Sequence, residues 1–115
     1  MSDHRNARRY DVWFPLEIEA ETSDPQIAVS KDVSKKGILV ATPSKVAVGA
    51  DVRVTFKLPG LVPIEHELEG VIVRVDRNEG DPRTMWRYQV AIQFDDAMPG
   101  LETALAILKS SQDVD

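Results

Sequence analysis

The sequence predicts an all-β fold with a C-terminal helix: a small six-stranded antiparallel β-barrel with the helix covering one mouth. Short segments in which apolar and polar residues alternate are separated by turns containing proline or glycine, which is typical of half-buried strands. Helical spacing of apolar residues occurs only near the C-terminus, so crossover helices between parallel strands are not expected. In 115 residues the strands are too few and too short for a large sandwich, and a barrel is the more economical arrangement.

Four of the predicted strands lie in the first half of the chain, and turn residues such as Pro25 and Pro43 separate them. They cover residues 12–20, 27–33, 37–41 and 52–58. The last of these is the clearest, since apolar residues from Val52 to Leu58 alternate with charged or polar ones.

The second half of the chain adds two strands and the helix. A long extended stretch over residues 64–77 changes its apolar parity at Gly70, which predicts a β-bulge or a bend at that glycine. The sixth strand covers residues 88–94. Helical spacing then appears in Leu101, Ala104, Leu105 and Leu108. We expect Asp96 or a neighbour to cap this helix, with Pro99 near its first turn.

The composition argues against several classes of function. The chain has no cysteine, which excludes disulfides, thiol chemistry and cysteine-ligated metal. Its two histidines, His4 and His66, are too few for most zinc or iron sites, so we expect no metal. The net charge of −5 disfavours binding to a nucleic-acid polymer or an anionic membrane. We recognise neither a membrane span nor a secretory signal, and therefore expect a cytoplasmic location.

We also expect that the chain is not an enzyme and has no catalytic residues. His66 lies between Glu65 and Glu67 in a predicted strand, which is typical of a partly buried strand histidine. His4 lies in the N-terminal segment, which is a poor position for a preorganised base. Neither a P-loop nor a GxGxxG turn occurs in the sequence.

Two arginines, Arg5 and Arg9, precede the first strand with the spacing RxxxR. The guanidinium fork matches phosphate oxygens and also the O6/N7 edge of guanine. Two such forks can therefore hold one small anionic ligand from two directions. By itself the spacing is a weak signal and favours an N-terminal arm that only improves solubility.

A second constellation is the pattern DxSxxG formed by Asp32, Ser34 and Gly37. In an extended segment Asp32 and Ser34 project to the same face. The aspartate can accept from the N1–H and N2–H₂ donors of guanine, and the serine hydroxyl can donate to a phosphate oxygen. Gly37 permits a positive φ and a close approach of the backbone. The same residue types are common in ordinary turns, so a purely structural role stays open.

In this order, and on this strand pattern, the two constellations resemble those of the PilZ domain family. The resemblance runs from Arg5 to Leu108 and includes the stretch over residues 48–52 and the sixth strand. PilZ domains are small six-stranded barrels with helical additions, and many of them bind the bacterial second messenger cyclic di-GMP. The resemblance therefore implies the same fold as the alternating pattern, and it adds a ligand.

The resemblance also implies which residues bind cyclic di-GMP. The ligand residues would be Arg5, Arg9, Asp32, Ser34 and Gly37. Further contributors would be His4, Arg8 and Ala91. Ala91 departs from the family pattern, since relatives often have glycine there, and its methyl group could weaken or reshape binding. No cofactor besides this ligand is expected.

The function implied by the resemblance is a non-catalytic cyclic di-GMP receptor that regulates motility or biofilm formation. We expect residues 1–9 to form a flexible arm and residues 10–112 to form the barrel with its helix. Closure of the arm over the ligand would then alter contacts with an unidentified protein partner. In the family, an arginine just before RxxxR favours a stacked pair of nucleotides. Because His4 stands at that position here, the resemblance implies one nucleotide per chain at about pH 7.5. The alternative is a PilZ-like protein–protein adaptor in pilus or motility machinery that needs no nucleotide.

Overall fold

Six strands and one helix make up the part of the chain that the structure, a computed structural model, describes: residues 8–20, 24–58, 65–79 and 84–113. In chain order they are β1 (Pro15–Ala20), β2 (Gln26–Val33), β3 (Gly37–Thr42), β4 (Asp51–Lys57), β5 (Glu65–Arg77), β6 (Tyr88–Phe94) and α1 (Leu101–Gln112). The six predicted strands and the predicted helix are confirmed, although β1 begins at Pro15 rather than at Val12.

The strands close into a barrel in which every neighbouring pair is antiparallel. Their order round the barrel is β1-β2-β3-β6-β5-β4, and β4 pairs with β1 to complete the ring. The described strands therefore form a sheet without a free edge, which removes the template for association that an open sheet presents. The antiparallel barrel expected from the alternating pattern is confirmed.

The interior of the barrel is filled by the alternating apolar residues. Ile18 of β1 and Val54 and Phe56 of β4 are at most 4% exposed. The ring of Phe14, just before β1, lies 5.4 Å from the ring of Phe56 between centroids. Full burial of such a side chain contributes about 1.5–3 kcal/mol, so these contacts are the main source of stability.

A buried serine, Ser30 of β2, fixes the chain that precedes β1. Its hydroxyl donates to the carbonyl oxygen of Val12 at 2.6 Å and accepts from the N–H of Phe14 at 2.9 Å. The N–H of Ser30 also donates to the carbonyl oxygen of Phe14 at 3.0 Å. Because Pro15 has no N–H to donate, these bonds replace part of the regular ladder and hold residues 12–14 against β2.

The helix α1 covers one mouth of the barrel. Leu101, Leu105 and Leu108 are buried and belong to the same apolar cluster as the barrel interior. Since the wall of a closed barrel separates its interior from the outside, these leucines reach the cluster through an open end. No helix in the described part of the chain is long and apolar enough to cross a membrane.

Two sets of polar contacts tie α1 to the segment before β1. The side-chain amide of Gln112 accepts from the N–H of Trp13 at 3.0 Å and donates to the carbonyl oxygen of Trp13 at 2.7 Å. Lys109 Nζ lies 2.6 Å from Asp11 Oδ1. The hydrogen bond from Lys109 lowers the pKa of Asp11 below its ordinary value. The covered mouth is therefore the one at which β1 begins.

The predicted irregularity of β5 is present, but it lies at Val73 and not at Gly70. The ladder to β6 stays in register from Gly70 through Ile72 and shifts immediately afterwards, so that Val73 is the extra residue. Gly70 faces inward, and a Cβ there would collide with the backbone of β6, so its role is steric. Val71 and Val73 both lie on the outer face although they are apolar. The alternation of apolar residues in the sequence therefore changes at Gly70, three residues before the actual bulge.

The prediction that the side chain of Asp96 or a neighbour caps the helix is wrong. The N-cap of α1 is Gly100, which has φ of 84°, and no side chain caps the helix. A turn in which the N–H of Leu101 donates to the carbonyl oxygen of Met98 at 3.2 Å delays the start of the helix. Asp96 therefore lies too far from the first-turn amides to accept their hydrogen bonds.

Candidate functional site

A groove of about 440 Å³ on the outer face of the barrel joins β2, β3, β6 and β5 to the segment before β1. Of the residues predicted from sequence, it is lined by Arg9, Asp32, Ser34, Gly37 and Ala91. The structure thus brings Arg9, the three residues of the DxSxxG pattern and Ala91 to one place, although they are distant along the chain.

Arg9 reaches the groove because the next residue is paired with the end of β2. Tyr10 and Val33 form an isolated antiparallel bridge, with N–H to carbonyl distances of 2.7 and 2.9 Å. This bridge places Arg9 beside Asp32, with 3.1 Å between Nη1 and Oδ2. The side chain of Arg9 is 74% exposed, and an exposed ion pair contributes only about 0–1 kcal/mol. A ligand can therefore exchange this pair at small cost.

Of the other basic residues in the N-terminal segment that were predicted to bind the ligand, the structure describes only Arg8. The guanidinium of Arg8 lies over the ring of Tyr10, 5.1 Å from its centroid, and Arg8 is not among the residues that line the groove. Such a cation–π contact fixes the direction of the side chain. Arg5 and His4 lie outside the described residues, so only the second arginine of RxxxR is placed by the structure.

Asp32 points into the groove because β2 is irregular next to it. The register between β2 and β3 shifts between Ser30 and Asp32, and Asp32 then pairs with Leu39. Oδ2 of Asp32 accepts from Arg9, whereas Oδ1 is buried and has no hydrogen-bond partner among the described residues. A buried acceptor without a partner costs about 1–3 kcal/mol. The carboxylate is thus suited to a ligand that brings a hydrogen-bond donor.

Ser34 and Gly37 shape the β2–β3 turn as well as the groove. The hydroxyl of Ser34 accepts from the N–H groups of Lys36 and Gly37 at 3.1 and 3.3 Å, and among the described residues its own hydrogen has no acceptor, which suits it to donate to a ligand. A Cβ on Gly37 would lie 2.5 Å from the carbonyl oxygen of Ile92, which explains the glycine by close approach. Of the two properties that glycine allows at this position, the structure uses the close approach and not a positive φ, which in the described ranges only Gly49 and Gly100 have.

Seven further residues that line the groove were not predicted from the sequence. They are Lys36, Ile38, Leu39, Val73, Arg74, Ile92 and Gln93. The change of alternation in β5 could have indicated a bulge near Val73 and Arg74, but it was interpreted as a bulge at Gly70. Lys36 lies inside the DxSxxG pattern at a position that the pattern leaves open.

The lining of the groove combines positive charge with an apolar surface. Arg9, Lys36 and Arg74 contribute positive charge, in a chain whose net charge is −5. Between them lie the half-buried side chains of Leu39 and Ala91 on neighbouring strands. A ligand with anionic groups and a flat, weakly polar surface matches this arrangement.

Comparison with known proteins agrees with the architecture. The family model "PilZ domain" matches residues 3–108. The Bacillus subtilis inhibitor of motility (MotI/DgrA) is 20% identical, with a TM-score of 0.69, over 94% of this chain and 50% of that protein. The PilZ domain of CeSA from a cellulose-synthesizing bacterium is 19% identical, with a TM-score of 0.58, over 93% of this chain and 99% of that one.

A third similar structure is the PilZ domain with cyclic di-GMP of YcgR from Escherichia coli. It is 13% identical, with a TM-score of 0.67, over 93% of this chain and 89% of that one. No curated protein sequence matches the chain. The chain spans about half the length of the Bacillus subtilis protein, and at these identities the structural likeness shows the fold. Because the family model covers residues 3–108 and the barrel has the topology of these neighbours, the chain belongs to the PilZ domain family.

Proposed function

We propose that the chain is a non-catalytic receptor for cyclic di-GMP and that the groove binds this nucleotide. The observation that carries the proposal is the carboxylate of Asp32, of which one oxygen pairs with Arg9 and the other is buried without a hydrogen-bond partner among the described residues. The N1–H and N2–H₂ donors of guanine suit that oxygen, while arginine forks suit phosphate or the O6/N7 edge. The neighbour YcgR, whose PilZ domain is described with cyclic di-GMP, supports the same ligand.

We expect cyclic di-GMP to bind with a dissociation constant on the order of micromolar or tighter, equivalent to about −8 kcal/mol. We also expect one nucleotide per chain at about pH 7.5, where His4 is largely neutral, and a tendency toward two near pH 6. Calorimetric titration measures both quantities, with cyclic di-AMP as the control ligand. If calorimetry detects no binding at about 100 µM cyclic di-GMP, the receptor function is contradicted.

The proposed signal is closure of the N-terminal arm over the bound nucleotide. The Tyr10–Val33 bridge anchors the chain at the rim of the groove, so that the preceding residues start beside the ligand. We expect amide exchange of residues 3–9 to slow when ligand saturates the protein, because charged contacts must exceed an ordering cost of about 1–2 kcal/mol per residue. Exchange that is equally fast with and without ligand would contradict closure and leave the receptor function intact.

The alternative function is an adaptor that binds a protein of the motility or pilus machinery without nucleotide. Two observations favour it: the neighbour MotI is named an inhibitor of motility, and Trp13 is 58% exposed on a backbone fixed by Gln112. Exposed tryptophans on rigid backbone are typical of protein interfaces. The calorimetric titration distinguishes the two functions, since an adaptor of this kind would stay folded and bind no nucleotide. The cytoplasmic location expected from sequence stays a prediction.

A further inference from the structure

Four residues form one continuous row across the outer face of the barrel. Asp32 of β2 pairs with Leu39 of β3, Leu39 pairs with Ala91 of β6, and Ala91 pairs with Arg74 of β5. Neighbouring strands lie about 4.8 Å apart, so the row spans about 14 Å between its end Cα atoms. It has an acid at one end, an arginine at the other, and two half-buried apolar side chains between them.

A register shift precedes each charged end of the row. One lies between Ser30 and Asp32, and the other lies between Ile72 and Arg74. Ser30 and Ile72 are buried, so strict alternation would turn the residues two positions later toward the interior as well. The extra residue in each strand turns the following side chain outward instead. Consistent with this, the side chain of Arg74 is 63% exposed. The two bulges thus aim Asp32 and Arg74 outward into the same groove.

The local partner of Arg74 determines what the arginine can bind. Its Nε lies 2.9 Å from Oδ2 of Asp76, which is two residues further along the strand. This pair holds the guanidinium and uses Nε, so the two terminal nitrogens keep hydrogens to donate. Since Asp76 offsets the charge of Arg74, a second negative group such as phosphate is less favourable here than a neutral acceptor. The O6 and N7 atoms of guanine form such an acceptor pair.

We infer that Arg74 is a specificity-determining residue, which donates to the O6/N7 edge of a guanine lying flat on Leu39 and Ala91 with its N1/N2 edge toward Asp32. This inference rests on the proposed binding of cyclic di-GMP in the groove. Adenine carries an amino donor in place of O6, so Arg74 would face a donor instead of an acceptor. The row then distinguishes guanine from adenine at both ends.

The test uses cyclic di-GMP and its 7-deazaguanine analogue, in which a C–H group replaces N7. Against the unsubstituted protein, we expect the analogue to bind about 5- to 150-fold more weakly, as loss of a bidentate contact predicts. In Arg74→Ala, cyclic di-GMP is expected to bind about 5- to 150-fold more weakly than to the unsubstituted protein, and the penalty for the analogue is expected to disappear. Arg74→Lys keeps the charge but not the fork, and the analogue penalty should disappear there too.

Arg77→Ala is the matched control, since Arg77 lies on the same strand outside the groove and should change neither affinity. A penalty for the analogue that persists in Arg74→Ala and Arg74→Lys would overturn the inference. If Arg74→Ala weakens the binding of both ligands equally while Arg74→Lys weakens neither, the arginine contacts phosphate, and the inference is overturned as well. If the unsubstituted protein binds no cyclic di-GMP, the proposed function itself fails, which separates the two results. A melting curve for each variant confirms that the barrel is folded.

Discussion

Replacing Arg9 with alanine is expected to weaken cyclic di-GMP binding by about 2–4 kcal/mol, because a charged hydrogen-bond partner is removed from a desolvated contact. Arg9 lines the groove, and its pair with Asp32 is exposed enough to be exchanged for a ligand. Arg5→Ala is expected to cost a similar amount by the RxxxR spacing, although Arg5 lies outside the described residues. Calorimetric titration of each variant against the unsubstituted protein measures the loss.

Arg53→Ala is the control for total charge. Arg53 lies on the outer face of β4 within 4.0 Å of Glu19, Glu67 and Glu69, and it does not line the groove. Its removal changes the net charge as much as Arg9→Ala does, and we expect little change in affinity. Equal losses at Arg9 and Arg53 that shrink together as salt is added would indicate a diffuse electrostatic effect and contradict the site.

The alternating segments predicted most of the fold because each strand has one face inside a closed barrel. Val52 and Val54 of β4 are buried while Arg53 between them is exposed, which is the pattern that sequence periodicity detects. The helix was predicted for the same reason, since Leu101, Leu105 and Leu108 share one buried face. The N-cap of the helix was not predicted, because the position at which the helix starts depends on a turn that ends at Gly100.

The candidate site was predicted only in part, because bulges decide where its side chains point. Asp32 was found by its motif, but the structure turns it outward through a register shift after Ser30, which regular alternation does not predict. Arg74 was missed altogether, since its strand neighbours Val73 and Val75 are both apolar and leave the position of the extra residue undetermined. Pairing partners across the sheet settle such positions, and a single sequence does not contain them.

Replacing Asp32 with alanine is expected to weaken cyclic di-GMP binding by about 2–3 kcal/mol without destabilising the fold. Its carboxylate faces the groove, and the β2–β3 turn is held instead by the hydroxyl and backbone of Ser34. Asp32→Asn keeps one acceptor oxygen and is expected to retain part of the affinity. Calorimetry measures binding, and a thermal melt of the same samples measures stability.

The melting temperature distinguishes a binding residue from a turn residue at this position. Removing the Arg9 pair costs about 0–1 kcal/mol, while removing a buried oxygen that has no partner among the described residues relieves about 1 kcal/mol or more and offsets that loss. We therefore expect Asp32→Ala to melt within about 4 °C of the unsubstituted protein, or slightly above it. Asp51→Ala, at an exposed aspartate outside the groove, should change neither binding nor melting. An Asp32→Ala protein that unfolds readily would assign the aspartate to the turn, since a carboxylate kept for a ligand stabilises the complex and not the free barrel.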